Sequence, residues 1–460
     1  MNQRLRAWLL FLIFLNGYVS LSLELGVIRQ LSFYVGSSAV VSSIIIGIFL
    51  GFMSLGYFIG GSKMIPKSNV KNILFGSFLV IAFMYILAAS FTLVTTYFAL
   101  MQIFGINSII TQTFIYSGIF LSVAPFLFGF NTALLSKYLN WHNGNYTGKI
   151  MAWGTIGSVL GSLLTTLILM PFIGVNWTIL LATAMSLFAA FIVKPRVWTL
   201  LLFAALMIPA YMINSDGFLR QTYGVVVNND NSTIAVVDIP DARVLVMDGV
   251  SMSLYNKNNR TFAAYVNYIN DNFIYNMPRD KKRDILILGA GGFTVGLDDT
   301  FNNYTFVDIE KTLKDVSEKH FLEEKLTPNK VFLAQDAVPF LKNTAMKYDL
   351  ILLDVYSNSY QVPEGLITAE FMERIKSHVA DGGIVLMNVI GSPNFSDEFT
   401  RVFDNTFRHV FKNNFQRQIV GNPNPWREDA ESNLIYIFYN KPNSDRIYTI
   451  NKTPVIYDRK

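Results

Sequence analysis

The residues with the clearest chemical potential lie in the second half of the chain, where glycines and carboxylates follow apolar segments. Gly289, Gly291 and Gly292 come directly after the apolar run 285–288. Glycines at such a point let backbone N–H groups approach a ligand closely in a tight turn. Asp308 follows about 20 residues later, the spacing at which a carboxylate can accept hydrogen bonds from ribose hydroxyls. The pattern indicates a nucleoside site.

Two further segments extend this pattern. The apolar run 330–333 ends near Asp336 and Ala337, where polar groups can meet the edge of an adenine ring, and the run 350–353 ends at Asp354. Ligands of open α/β sheets bind at the carboxyl ends of the strands, so these groups predict one site. Each acid taken alone is equally typical of a helix cap or a solvated turn.

These elements predict a Rossmann-like α/β domain over 277–460. The order of glycine turn, ribose acid, Asp-Ala and strand-terminal Asp is typical of class I adenosylmethionine-dependent transferases. No second glycine fingerprint or 2′-phosphate arginine indicates a nicotinamide enzyme, and no GxxxxGK[ST] phosphate loop is present. The sequence has no cysteine, and its four histidines have no ligand spacing, so no metal site is expected.

The preceding segment, 214–276, is predicted to be a small β-rich subdomain with a connecting helix. The runs 225–227, 233–237 and 243–247 are rich in β-branched residues and are separated by turns that contain Asn, Asp and Pro. The Tyr- and Asn-rich stretch 260–276 follows them and predicts the helix.

The first 213 residues have a different composition from the rest. Glu24 is their only acidic residue, against ten Lys and Arg, whereas the remaining 247 residues carry 31 acidic and 27 basic ones. The basic residues of the first part lie in short loops, where they act as topology determinants of a membrane protein. The basic overall balance is therefore no indication of nucleic-acid binding.

Seven apolar segments in this first part approach the length of about 20 residues that a membrane span needs. They are 7–27, 39–61, 72–92, 110–135, 150–172, 177–193 and 197–213. The uncharged stretch 94–108 could be a re-entrant or interfacial segment, or a further helix. The sequence predicts a multi-pass helical domain over 1–213 in the cell (inner) membrane.

The loop charges leave the orientation open. With seven spans, all basic loop residues except Arg29 fall on one side, which the positive-inside rule makes cytoplasmic. The odd number of spans then places residue 214 onward outside, whereas a nucleoside cofactor is normally found inside. An eighth helix in 94–108 would reverse this outcome.

Glu24 has two interpretations. A carboxylate within a span is costly and often functional, which makes Glu24 a candidate functional residue. Its closeness to Arg29 in sequence also permits a structural ion pair. Spans contain glycines, such as Gly157 and Gly161, that allow close helix approach. Packing is the simpler explanation for them, and a substrate-conducting bundle is the alternative.

The ordered set of motifs resembles the spermidine synthase (polyamine aminopropyltransferase) family, and specifically its bacterial membrane-fused branch. The resemblance covers nearly the whole chain. It rests on Gln221-Thr-Tyr-Gly, Arg243-Val-Leu-Val-Met-Asp248-Gly249, Ile287-Leu-Gly-Ala-Gly-Gly, Val307-Asp-Ile-Glu310, Gln335-Asp336-Ala337, the stretch from Asp354 to Phe371, and Asp381-Gly-Gly383. In the first part, Leu23-Glu24 and the run from Trp153 to Gly161 are also similar to that branch.

The resemblance implies a role for each candidate residue. The cofactor would be held by the turn at Gly289, Gly291 and Gly292, by Asp308 at its ribose, and by Asp336 and Ala337 at its adenine. Asp354 would orient and deprotonate the attacking amine. Acceptor-binding candidates are Tyr265, Asn267, Tyr356 and Tyr360, the last two because aromatic faces attract cations.

Several positions depart from the family pattern. Gly292 stands where the family has an Asp that holds the aminopropyl ammonium, and Ser357 stands in place of a second Asp. Asn267 replaces an acceptor-binding glutamate, and Arg260 and Thr261 replace an acidic pair. A desolvated ammonium without a carboxylate partner is costly. Cofactor binding is therefore better supported than polyamine binding.

The resemblance implies a transferase that moves an aminopropyl group from decarboxylated S-adenosylmethionine to an amine such as putrescine, without a metal. A small amine or polyamine and the lipid bilayer are the expected partners, together with a second copy in a homodimer. Two alternatives stay open. One is an S-adenosylmethionine-dependent methyltransferase with a membrane-associated acceptor, and the other is a non-catalytic nucleoside- or polyamine-binding sensor or transport partner.

Overall fold

The structure is a computed structural model that describes residues 3–36, 38–62, 65–140, 146–355, 364–412, 414–421 and 431–441. The chain divides into two compact units. The first comprises Met1–Asp238 with Leu245–Ser251, and the second comprises Ile239–Val244 with Met252–Lys460. The domain boundaries expected after residues 213 and 276 stay predictions.

Apolar helices make up most of the first unit. They are α1 (Gln3–Val35), α2 (Ala39–Ser62), α3 (Val70–Ala89), α4 (Phe91–Ile103), α5 (Ile109–Phe120), α6 (Val123–Asn140), α7 (Thr147–Leu164), α8 (Met170–Val193), α9 (Val197–Asn214) and α10 (Asp216–Tyr223). By length and composition, five helical segments of the described chain could cross a membrane, or up to six with the bent pair α5–α6 as one span.

The helix boundaries differ from the predicted spans in two places. The predicted span 110–135 is divided between α5 and α6, which are bent by 44° relative to each other. Helices α7 and α8 are joined by the π-helical turn Thr165–Leu169, so one helical run extends over 47 residues. Gly174, with a φ of 81°, breaks this run between the predicted spans 150–172 and 177–193.

Glycines bring two pairs of helices into backbone contact within the first unit. A Cβ atom at Gly157 of α7 would overlap the carbonyl oxygen of Phe14 in α1. A Cβ atom at Gly56 of α2 would overlap the carbonyl oxygen of Phe126 in α6. Such close approach between apolar helices requires residues without a side chain. The geometry therefore gives these glycines a packing role.

The strands of the first unit contact α1 through a buried arginine. Arg29 donates from Nε to the carbonyl oxygen of Asn229 at 2.7 Å and from Nη2 to Oγ1 of Thr233 at 3.1 Å. Its Nη1 lies 3.6 Å from a carboxylate oxygen of Asp248. Glu24 is buried and has neither a hydrogen bond nor an ion pair with any described residue. The ion pair considered between Glu24 and Arg29 is thus replaced by one with Asp248.

A five-stranded sheet follows the helices. Its order is β1 (Val225–Asn228), β2 (Thr233–Ile239), β3 (Ala242–Met247), β4 (Val250–Asn256) and β5 (Thr261–Phe262). The boundary between the two units passes through β3 and β4. A short helix, α11 (Ala264–Ile269), continues as the π-helical turn Asn270–Ile274 and lies within the predicted helix 260–276. The start of that predicted helix forms β5 instead.

The second unit is built on a seven-stranded sheet. Its elements are β6 (Asp284–Leu288), β7 (Asn303–Asp308), α12 (Leu313–Val316), β8 (Lys330–Ala334), α13 (Ala337–Asn343), β9 (Tyr348–Leu353), α14 (Ala369–Ser377), β10 (Val379–Gly391), α15 (Glu398–Phe411), β11 (Phe415–Val420) and β12 (Ser432–Tyr439). The strand order is β11-β12-β10-β9-β6-β7-β8, with β12 antiparallel to both its neighbours. This topology confirms the predicted Rossmann-like fold.

The register of the central strands brings the predicted site residues to one edge of this sheet. Strand β6 is apolar and buried, as expected for a parallel strand that is covered on both faces. Its last residue, Leu288, pairs with Val307 of β7 and with Leu353 of β9. The residues that directly follow these strands therefore share the carboxyl edge of the sheet, where such folds bind ligands.

Candidate nucleoside-binding and transfer site

The glycine turn after β6 requires residues without side chains. Gly289 has a φ of 95°, and a Cβ atom there would overlap the carbonyl oxygen of Asp354. The backbone N–H of Gly292 donates to Oγ of Ser253 at 2.9 Å, which fixes the turn against β4. A Cβ atom at Gly292 would overlap the buried ring of Phe321. An acidic side chain at Gly292 would therefore have to displace Phe321.

Asp308 is held at the end of β7 by backbone donors. Its Oδ2 accepts a hydrogen bond from the N–H of Ala290 at 2.9 Å, and its Oδ1 accepts one from the N–H of Glu310 at 3.0 Å. Burial raises the pKa of Asp308, the two backbone bonds oppose that rise, and the charge of Glu310 adds to it. The carboxyl group is thus fixed beside the glycine turn.

A cavity of about 330 Å³ adjoins the turn. Its lining brings together four of the predicted cofactor-binding residues, namely Gly289, Asp308, Asp336 and Ala337. The remaining lining residues are mostly apolar and comprise Val307, Ile309, Gln335, Val338, Val355, Gly365 and Leu366. Gly291 and Gly292 lie outside this lining and contact Ser253 and Phe321 instead. Apolar walls with a few polar groups are typical of small-molecule pockets.

Asp336 has a structural role as well as a place in the cavity. Its Oδ1 accepts a hydrogen bond from the N–H of Val338 at 2.7 Å and so caps the first turn of α13. The side chain is exposed, which leaves its second oxygen accessible to a ligand in the cavity. The capping interpretation and the binding interpretation therefore hold together at this residue.

Asp354 follows β9, and two side chains hold its carboxyl group. The hydroxyl of Tyr265 donates to Oδ2 at 2.8 Å, and Nδ2 of Asn388 donates to Oδ1 at 2.8 Å. Burial raises the pKa of Asp354, and the hydrogen bonds from Asn388 and Tyr265 oppose the rise. A carboxyl group in this setting can accept a proton from an amine or orient one.

The other acceptor-binding candidates differ from Tyr265. Asn267 accepts from the N–H of Phe262 and donates to its carbonyl oxygen, both at 2.9 Å, so backbone groups occupy its amide. Tyr356 and Tyr360 lie outside the described residues. Of the other departures from the family pattern, Arg260 forms ion pairs with Asp298 and Glu324, at 2.6 and 3.0 Å.

Three residues of the site were not found from the sequence, namely Ser253, Asn388 and Asn433, the last of which donates from Nδ2 to Oδ1 of Asn388 at 3.0 Å. Asn388 is a single polar residue within the apolar stretch 384–390 of β10, and such an interruption is a usable sequence signal. Ser253 and Asn433 have no comparable signal. Within the described ranges, no group of three or more His, Asp and Glu residues could hold a metal ion.

The sheet order, the glycine turn and the carboxyl groups at successive strand ends together define a Rossmann-like domain with a candidate nucleoside site at the carboxyl edge of its sheet. Residues 241–424 match the family model of the spermine/spermidine synthase domain. This part of the chain is thus similar to the spermidine synthase family.

Curated relatives carry the name of the same family. A polyamine aminopropyltransferase of Sulfurisphaera tokodaii is 32% identical over 161 residues, which are 31% of this chain and 53% of the relative. One of Vibrio vulnificus is 27% identical over 159 residues, or 33% and 50% of the two chains. The chain thus spans about half the length of these two relatives. Polyamine aminopropyltransferase 2 of Aquifex aeolicus is 23% identical over 400 residues, covering 81% of this chain and 77% of the relative.

Solved structures that match part of this chain include a probable spermidine synthase from Corynebacterium glutamicum, with 18% identity and a TM-score of 0.39 over 49% of this chain and 81% of that one. Spermidine synthase from Thermotoga maritima has 14% identity and a TM-score of 0.36 over 46% and 70% of the two chains.

Proposed function

We propose that this protein is a membrane-anchored, spermidine synthase-like transferase that moves an aminopropyl group from decarboxylated S-adenosylmethionine to an amine acceptor such as putrescine. One observation carries the proposal. The carboxyl group of Asp354, held by Tyr265 and Asn388, belongs to the residue whose carbonyl oxygen borders Gly289 in the glycine turn. A proton acceptor and a nucleoside-binding turn therefore adjoin each other.

The nucleoside end of the site would bind the adenosyl part of the donor. Asp308 would hold the ribose hydroxyls, because its carboxylate retains acceptor capacity beyond the two backbone bonds it accepts. Asp336 and Ala337 would border the adenine within the cavity of about 330 Å³. Gly289 would allow the turn to approach the donor without a side chain.

The reacting end would activate the acceptor amine. The bound donor supplies a sulfonium, so that attack on the adjacent carbon forms a C–N bond, breaks a C–S bond and leaves methylthioadenosine. Asp354 would orient the amine and accept its proton, and the hydroxyl of Tyr265 would fix the carboxylate through Oδ2. Most of the rate enhancement would come from positioning, since a sulfonium is already a good leaving group.

A second candidate function is methyl transfer from S-adenosylmethionine to a membrane-associated acceptor. It is favoured by the two positions at which the family's ammonium-binding acids are replaced. The ring of Phe321 fills the space beside Gly292, and backbone groups of Phe262 occupy the amide of Asn267. Neither position offers a carboxylate to an ammonium group.

Binding measurements on the full chain in detergent test these functions. Isothermal titration with decarboxylated S-adenosylmethionine, S-adenosylmethionine and methylthioadenosine is expected to give the tightest donor binding for the decarboxylated form. Tighter binding of S-adenosylmethionine would support methyl transfer instead. Binding of methylthioadenosine without turnover of putrescine or another amine would leave the non-catalytic sensor or transport partner.

The membrane part of the proposal rests on the apolar helices of the first unit and on the resemblance to the membrane-fused branch. The lipid bilayer of the cell (inner) membrane would surround these helices, and a second copy of the chain would complete a homodimer. The absence of native cysteines permits a direct test of the topology. Asn231→Cys and Ser68→Cys each introduce one exposed thiol, in the turn after β1 and in the connection between α2 and α3.

A membrane-impermeant maleimide applied to intact cells then reports the side of each thiol. Labelling of neither variant before permeabilisation would indicate that both sites are cytoplasmic, as access to a nucleoside donor requires. Labelling of Asn231→Cys alone would place that turn outside, as the basic loops favour, and would count against a cytoplasmic enzyme. Equal labelling of both variants in intact cells would contradict the cytoplasmic location that the positive-inside rule gives to the basic loops.

A further inference from the structure

We propose that Asn388 and Asn433 form a relay that keeps the carboxyl group of Asp354 oriented and charged, with Asn433 as a positioning residue that acts through Asn388. The proposal rests on the function proposed above, in which Asp354 meets the acceptor amine. It assigns a role to two residues that lie outside the motifs of the candidate site in the sequence.

The relay consists of two hydrogen bonds that link a residue of β12 to one of β10, and that one to the residue after β9. Nδ2 of Asn433 donates to Oδ1 of Asn388 at 3.0 Å, and Nδ2 of Asn388 donates to Oδ1 of Asp354 at 2.8 Å. In the antiparallel pair β10–β12, Asn388 lies opposite Ile435, and Ile390 lies opposite Asn433. The two asparagines are therefore diagonal neighbours on one face of the sheet, within reach of each other.

The first bond decides which end of the Asn388 amide faces Asp354. An asparagine amide can present either an acceptor oxygen or a donor NH2 group. Because Asn433 donates to the oxygen of Asn388, the NH2 group of Asn388 is directed at the carboxylate. In the reverse orientation, the amide oxygen of Asn388 would face a carboxylate oxygen of Asp354. Its NH2 group would then face the NH2 group of Asn433. Asn433 thus selects the productive orientation without touching Asp354.

The surroundings of Asp354 give this selection a chemical consequence. Among the described residues, its carboxylate contacts the titratable hydroxyl of Tyr265 from α11 and the neutral amide of Asn388 from β10. The stretch 356–363, outside the described residues, carries tyrosines as its only titratable side chains. Burial raises the pKa of Asp354, and the bond from Asn388 is the first of the two that oppose the rise.

Neutral donors suit a carboxylate that has to bind a cation. A lysine or arginine partner would keep Asp354 charged but would also neutralise it before the ammonium of an acceptor arrives. Two asparagines stabilise the charge through dipoles alone and are uncharged at every pH. The substrate amine then supplies the positive charge that pairs with Asp354.

Infrared titration of the full chain tests the relay without relying on turnover. The band of the protonated carboxyl that disappears in Asp354→Asn reports the state of Asp354. In Asn388→Leu its midpoint is expected to rise by about 1 pH unit or more, because a donor to the charged form is lost. In Asn433→Leu it should rise by a smaller amount, and Asn433→Ser, which keeps a short donor, should recover part of the shift.

Asn302→Leu is the matched control. Asn302 is also a buried asparagine, and it donates to a carboxylate, Asp299, at 2.7 Å. Its replacement is expected to lower the melting temperature while the midpoint of Asp354 stays unchanged. If Asn388→Leu fails to fold, Asn388→Ser and Asn433→Leu test the same prediction.

The acid limb of the pH profile of kcat/KM, measured with decarboxylated S-adenosylmethionine and putrescine, should move with the infrared midpoint. A fall in kcat at all pH values without movement of the limb would mean a merely structural role. An unchanged infrared midpoint in folded Asn388→Leu and Asn433→Leu would overturn the relay. Absence of turnover in wild-type protein would count against the proposed function and would leave the infrared result valid.

Discussion

The two ends of the candidate site hold their carboxyl groups by different means. Asp308, at the nucleoside end, accepts hydrogen bonds from the backbone N–H groups of Ala290 and Glu310. Asp354, at the reacting end, accepts them from the side chains of Tyr265 and Asn388. Backbone donors are supplied by the path of the chain, whereas side-chain donors depend on the residue at each position. Single substitutions should therefore alter the reacting end more readily than the nucleoside end.

The largest effect is expected from Asp354→Asn. Loss of the proton acceptor should lower turnover of decarboxylated S-adenosylmethionine and putrescine by roughly 10²- to 10⁴-fold. The Kd for methylthioadenosine should change by less than about threefold, because the nucleoside end is left intact. Asp349→Asn, at the other end of β9, is the control and should leave both values near wild type. A large loss of methylthioadenosine binding in Asp354→Asn would show that the two ends are not separable.

Gly289→Ala is expected to have the next largest effect, on stability and nucleoside binding together. The new Cβ atom would overlap the carbonyl oxygen of Asp354 at a residue whose φ is 95°. The left-handed backbone costs about 1–2 kcal/mol, and the overlap adds about 1–3 kcal/mol. Gly382→Ala separates the two causes, because Gly382 has a φ of 76° and no atom within 4 Å of the added Cβ. If Gly289→Ala and Gly382→Ala lost the same amount of stability in thermal denaturation, that result would contradict the close contact at Gly289.

Asp308→Asn tests the backbone-held carboxyl group. One carboxylate oxygen becomes an NH2 group that faces a backbone N–H, so one hydrogen bond to a charged acceptor is lost. The affinity for methylthioadenosine should fall about 10- to 100-fold, and kcat at saturating donor should stay within about threefold of wild type. A collapse of kcat with unchanged affinity, measured in the same preparation, would reverse the assignment of the two ends.

The smallest effect concerns the pH dependence of stability. Burial raises the pKa of Asp354 in the folded protein above its value in the unfolded chain. The contribution of this group to stability is then complete below the unfolded pKa, about 3.9, and is lost as the pH rises through the folded pKa. The melting temperature of Asp354→Asn relative to wild type should therefore be higher at pH 8 than near pH 4, because only wild type loses stability as the pH rises. If the melting temperature of Asp354→Asn relative to wild type instead rose toward acid pH, the pKa of Asp354 in the folded protein would be lowered.

The same contrast explains which parts of the site could be predicted from sequence. The nucleoside end consists of residues that directly follow apolar strands, so local pattern and the parallel sheet suffice to bring Gly289, Asp308 and Asp336 together. The reacting end depends on contacts between distant residues. Tyr265 donates to a residue 89 positions away, and Asn388 and Asn433 are 45 positions apart. The contact between Asn388 and Asn433 follows from the return of β12 beside β10. The contact of Tyr265 depends on where α11 packs, and no local pattern specifies either arrangement.

Helix boundaries in the first unit show a related limit. The segments are apolar on all sides, so periodicity carries little information about where one helix ends and the next begins. The break at Gly174 lies where a glycine permits a left-handed backbone, whereas the continuation through Thr165–Leu169 and the bend between α5 and α6 have no comparable sequence signal. The occupied amide of Asn267 could not be foreseen either, because its partner is the backbone of Phe262.

The buried guanidinium of Arg29 has a practical consequence for protein production. A fragment that starts after residue 213, where the composition changes, would keep Asn229, Thr233 and Asp248 but lose the donor that α1 directs at them. Cutting the chain there would thus weaken the first strands of the truncated product and favour its aggregation. Recombinant material should retain α1, or replace Thr233 and Asp248 by residues that do not require a cationic neighbour.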